Sequence, residues 1–169
     1  MEKTTVSITM WGDNDDMDDW CEWYSDCKKI FEILGYKMTH LGIIGEKFTN
    51  AKIMTVLRSE KTIVDALKNG EKPYSFSCYS LPKDYKSASF DYDLLLVRKK
   101  EYISLVVNIG DYDKVIHNGI VSILETHIKM KTGKIYQMDR NEMPLIYASK
   151  ANPIESFKTL KIYEEITTK

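Results

Sequence analysis

The stretch F-D-Y-D-L-L-L-V-R-K-K-E-Y-I-S-L-V-V-N-I, residues 90–109, holds two apolar runs separated by Lys99, Lys100 and Glu101. Apolar runs this short, rich in Leu, Val and Ile and split by three charged residues, predict two antiparallel strands joined by a tight turn. A strand that is apolar at nearly every position has both faces in the interior, so the hairpin is expected at the centre of a sheet.

Working outward, residues 4–10 set Val6, Ile8 and Met10 against Thr and Ser, the two-residue period of a half-buried strand. Trp20, Trp23, Tyr24, Cys27, Phe31 and Leu34 then recur at three- and four-residue steps up to Gly35, which predicts an amphipathic helix with a glycine stop. Short strands are expected over 36–44 and 52–57, the second open to reading as a helix start. Ser59 is placed as N-cap of a helix over 60–69, followed by a strand at 74–81.

A third helix is expected from Asp111 or Asp113 to about Lys131, with Val115, Ile116, Ile120, Ile123, Leu124 and Ile128 near one stripe. Strands at 134–138 and 145–148 and a final strand or short helix within 157–166 complete the reading. The elements do not alternate as βαβ units. The expected fold class is therefore α+β, a mainly antiparallel sheet with about three packed helices in a single layered domain over 1–169. Its core is expected to draw on Trp20, Trp23, Phe31, Leu95, Val97, Leu105, Val107, Ile120 and Leu124.

Hydrophobic residues at 43% and charged residues at 29% are ordinary globular values, so extensive disorder is not expected. No apolar run is long enough for a membrane helix, and the N-terminus lacks a signal-peptide profile; a cytoplasmic protein is expected. Cys21, Cys27 and Cys78 form an odd count without zinc-type pairs and are expected as free, packing thiols.

No nucleophile-and-base motif is present, and no Gly-x-Ser-x-Gly. His117 and His127, on one expected helix, would lie about 80° apart around its axis and nearly three turns apart along it, too far to share a metal. Each is expected as a surface or helix-end residue. The stretch starting at Asp13 resembles a calcium loop but carries Met17, Asp18 and Tyr24 where a ligand, a glycine and a glutamate are required. Residues 42–47 lack the Gly-Lys-Ser/Thr ending of a phosphate loop. No cofactor and no metal are expected, and the protein is read as non-catalytic. An enzyme with dispersed carboxylates, for example Asp91 and Asp93 on the hairpin, is the alternative, as is a general adaptor module.

The formal net charge of −1 conceals an asymmetry: residues 1–46 hold four Lys and ten acids, and the remainder twenty Lys or Arg and fifteen acids. Between Asp13 and Asp26 lie seven acids, Asp13, Asp15, Asp16, Asp18, Asp19, Glu22 and Asp26, and no base. Capping and the helix dipole account for two or three of these. The others repel one another unless something basic meets them, so the segment is a candidate face for a positively charged protein partner. No concentrated basic patch is present, which disfavours nucleic acid as a partner.

Two stretches, Asp18-Asp19-Trp20-Cys21-Glu22-Trp23-Tyr24 and Ile128-Lys129-Met130-Lys131-Thr132-Gly133-Lys134-Ile135-Tyr136, give the chain a likeness of kind to known proteins. It resembles the immunity proteins of bacterial polymorphic-toxin systems, of the contact-dependent inhibition or type VI secretion class. The resemblance implies a cytosolic protein that neutralises a cognate toxin, such as a nuclease with a basic face, by direct binding.

Overall fold

The structure, a computed structural model, describes residues 4–14 and 16–168. Eight strands form one sheet: β1 (Thr4–Asp13), β2 (His40–Ile44), β3 (Met54–Thr55), β4 (Ser75–Ser80), β5 (Leu94–Lys99), β6 (Tyr102–Asn108), β7 (Lys129–Asp139) and β8 (Lys161–Ile166). Their order is β3-β2-β4-β5-β6-β1-β7-β8, and every neighbouring pair is antiparallel. The helices are α1 (Trp20–Leu34), α2 (Val56–Lys68), α3 (Ala88–Asp91), α4 (Tyr112–His117), α5 (Ile120–Glu125) and α6 (Pro144–Ser149). The fold is α+β, and the β5–β6 hairpin occupies the middle of the sheet as its composition predicts.

Continuous apolarity in that hairpin has the expected cause, because both sheet faces are covered. Leu94, Leu96, Ile103, Leu105 and Val107 join Val6, Ile8 and Met10 of β1 under α1, α2 and α5. Leu95, Val97, Tyr102 and Val106 point the other way, toward two smaller clusters built with Tyr92, Tyr147 and Ala148. The residues expected in the core, Trp20, Trp23, Phe31, Leu95, Val97, Leu105, Val107, Ile120 and Leu124, are all buried.

Alternation in β1 was expected to mark one wet face, but Thr5, Ser7 and Thr9 are fully buried. Two of the three hydroxyls find partners inside the second layer: Thr5 donates to the Met138 carbonyl at 3.0 Å, and Thr9 bonds Ser104 at 2.8 Å and Tyr136 at 2.7 Å, while the Ser7 hydroxyl has no hydrogen-bond partner among the described residues. Hydroxyls that bond across a ladder are tolerated in an interior where unpaired ones would be costly.

Four local expectations are corrected. The third helix does not run to Lys131: it breaks at Asn118 and at Gly119, whose φ of 66° is left-handed, and the chain is already in β7 at Lys129. Helix α2 starts at Val56, so Ser59 is no N-cap; its hydroxyl donates back to the Thr55 carbonyl at 2.6 Å. Residues 145–148 are helix rather than strand, because Pro144 sets the first helical position of α6. Phe90 and Asp91 belong to α3, so Asp91 and Asp93 are not hairpin residues; the Asp91 carboxylate accepts from the backbone N–H groups of Lys86 and Ser87.

Gly12 marks where β1 bends against β7, at the register shift between Trp11 and Gly12. A Cβ there would lie 2.1 Å from the Lys129 carbonyl oxygen. Gly12→Ala should therefore cost about 2 kcal/mol through backbone displacement. Gly110, with nothing within 4 Å of its Cβ direction, should accept alanine within about 0.5 kcal/mol. Thermal unfolding of the two variants checks the contrast; equal midpoints would contradict it.

Candidate functional site

The acidic segment runs from the end of β1 into the first turns of α1, and the structure sorts its members into two groups. Asp19 is the residue before α1, yet its side chain makes no cap bond to the helix. Instead Oδ1 accepts from Arg98 Nη2 at 2.7 Å, while Oδ2 lies 2.6 Å from His127 Nδ1. Nε2 of the same imidazole lies 2.7 Å from Asp26 Oδ2. Both ring nitrogens thus face carboxylates.

Local sequence makes this possible. Asp19, Trp23, Asp26 and Ile30 are spaced to share one helical face, the one turned to the sheet. Arg98 follows Leu94 and Leu96 in the alternation of β5, so its side chain emerges on the helix-covered face and is fully buried. Its guanidinium carbon lies 4.0 Å from the Trp20 ring centroid, while Nε and Nη1 have no hydrogen-bond partner. His127 packs edge-on against Trp23 with ring centroids 5.3 Å apart. The group is a hydrogen-bonded chain, Arg98–Asp19–His127–Asp26, whose buried members Arg98 and His127 pack against Trp20 and Trp23.

Burial raises the Asp19 pKa, but the hydrogen bonds from His127 and Arg98 outweigh it and hold the carboxyl below its ordinary 3.8. The sign follows from a folded value lowered relative to the unfolded chain. Asp19 contributes stability above pH 3.8, and that contribution is lost as pH falls through the lower folded value. Asp19→Asn should lack this acid-side loss, so the stability gap between parent and variant narrows below pH 3.8. Denaturant unfolding across acidic pH checks it; a constant gap would refute the coupling.

His127 lies just past the end of α5, as one of the two expectations has it, but it is no surface residue, and that part is corrected: it is 2% exposed. His117 does sit exposed at the end of α4. Of the remaining acids, Asp13, Asp16, Asp18 and Glu22 are exposed, and Asp15 lies outside the described residues. Asp26 keeps 31% of its side chain accessible. Lys72 and Lys100 line a hollow beside Trp20 and Asn14, bounding the acidic ledge on that side. Asn14 is buried and donates to the Lys99 carbonyl at 2.6 Å, which ties the ledge to the central hairpin.

Among the described residues no group of three His, Cys, Asp or Glu side chains converges to hold a metal. Cys21, Cys27 and Cys78 are free thiols, and burial pushes the Cys27 thiol pKa up. No helix among the described residues is long and apolar enough to cross a membrane. The arrangement offers a rigidly founded anionic ledge over that hydrogen-bonded chain.

The fold has a counterpart among solved structures. A Pseudomonas aeruginosa T6SS protein, PA0821, superimposes with a TM-score of 0.54 at 11% sequence identity, over 80% of this chain. This chain corresponds to 40% of that protein's length. At such low identity the likeness is one of fold. No protein-family model and no curated sequence matches the chain.

Proposed function

We propose that this chain is an immunity-type binding protein of a bacterial toxin-delivery system, acting in the cytoplasm by covering the basic face of a cognate toxin domain. The contact surface in this reading is the ledge of Asp13, Asp16, Asp18 and Glu22. Asp19 and Asp26 act from beneath, fixing the start of α1 through Arg98 and His127.

The observation that carries the reading is the division of labour within the acidic segment. Two acids are met from inside the chain by Arg98 and His127, while Asp16, Asp18 and Glu22 are exposed at a helix start anchored by those contacts. Pre-positioned charge of one sign steers an oppositely charged partner and selects against like-charged ones. The fold shared with a T6SS protein supports the same reading.

The test uses a candidate toxin domain with a basic face, taken from an effector encoded in the same genome. Mixed with the chain at physiological ionic strength, it should elute with it as one complex in size-exclusion chromatography. Separate elution of a toxin domain that still kills cells would sink the reading.

A further inference from the structure

A second surface lies across the sheet from the acidic ledge, and the toxin-binding reading does not use it. Beside α6 is a cavity of about 380 Å³, within the size range of small-molecule sites. Trp11 and Tyr147 line it, packed edge to face with ring centroids 6.1 Å apart. The Trp11 indole N–H is already spent on the Ala148 carbonyl at 2.6 Å, which fixes the ring. Ile154, 60% exposed, lines the same cavity.

Two ammonium groups complete it, those of Lys134 and Lys150, and neither makes an ion pair among the described residues. Lys150 is the more informative. It ends α6 with φ 58° and ψ 24°, a left-handed cap where glycine is the relaxed choice. That conformation accompanies an ammonium 5.0 Å from the centroid of the Trp11 ring. The helix ending thus sets a cation against an aromatic wall of the cavity. Glu165 stands opposite Lys134 in the β7–β8 register without an ion pair, and Glu101 lines an adjoining hollow together with Lys131. The cavity mouth itself carries these two lysines.

We propose that this cavity is a binding site for a small aromatic carboxylate, its ring held between Trp11, Tyr147 and Ile154 and its carboxylate on the ammonium groups of Lys134 and Lys150. A neutral ring of the same shape would gain the apolar contacts without the charge-assisted bonds, and so should bind at least about tenfold more weakly.

The experiment titrates the full chain with 2-naphthoate and with the uncharged 2-naphthalenemethanol, reading the tryptophan indole N–H resonances, with Trp11 assigned by Trp11→Phe. The expected result is saturable one-to-one binding of naphthoate with Kd below about 1 mM, movement of the Trp11 signal, and at least about tenfold weaker binding of the alcohol. The variant Lys134→Gln/Lys150→Gln, altered outside the core, should keep the parent's unfolding midpoint and lose about tenfold for naphthoate alone. Lys150→Gly should raise the midpoint by about 2–4 °C while weakening naphthoate. Equal affinity for acid and alcohol, unchanged affinity in the lysine variants, no binding, or binding that leaves the Trp11 signal still would each overturn the proposal.

Discussion

Asp19→Ala should destabilise the protein by about 3–5 kcal/mol, far more than removal of a surface carboxylate, because it leaves a buried cation uncompensated. Arg98 is fully buried, and Asp19 supplies the carboxylate that accepts from its guanidinium. Burial already pushes the Arg98 pKa down, and the Asp19 hydrogen bond and charge oppose that. At roughly 2–4 °C per kcal/mol for a chain of this size, the unfolding midpoint should fall by about 10 °C. Arg98→Met should cost less, since it removes the buried charge and leaves Asp19, 21% exposed, with His127. In the double variant the costs should fall short of the sum by at least about 1 kcal/mol. Strict additivity in denaturant unfolding would refute the hydrogen-bonded chain as a coupled unit.

Reversing Asp16, Asp18 and Glu22 together to lysine should slow association with the basic toxin domain by about tenfold or more and flatten its dependence on salt. Folding should hardly change, because these acids are exposed and exposed charges contribute little to stability. Stopped-flow association at several ionic strengths reads the effect. Unchanged rates in a stably folded variant would remove the ledge from the interface.

The contrast between those two substitutions shows where sequence reading reached and where it stopped. The acidic segment stands out in the sequence as an excess of like charge, which raises the question of what meets it. Part of the answer was inside the chain: Arg98 and His127 meet Asp19 and Asp26 across long sequence separations. The signal was present in local phase. Arg98 continues the inward alternation of Leu94 and Leu96, and His127 lies seven residues beyond Ile120 on the same stripe.

The hairpin and α1 were legible because strong periodicity and a glycine stop agree with the tertiary packing. The third helix misled, since its apolar stripe continued through a break that Asn118 and Gly119 announce locally. Leu145 and its neighbours gave a strand-like pattern that Pro144 overrides. The buried hydroxyls of β1 were not legible, because Thr and Ser read as solvent-facing until Tyr136 and Ser104 arrive from distant strands.

The central claim, that this chain neutralises a toxin by covering it, is met most directly by growth protection. Cells expressing the candidate toxin domain that this chain binds should survive when the chain is co-expressed, and the Asp16→Lys/Asp18→Lys/Glu22→Lys variant should protect poorly while accumulating to the same level. Death of cells that contain abundant, folded parent chain would contradict the account.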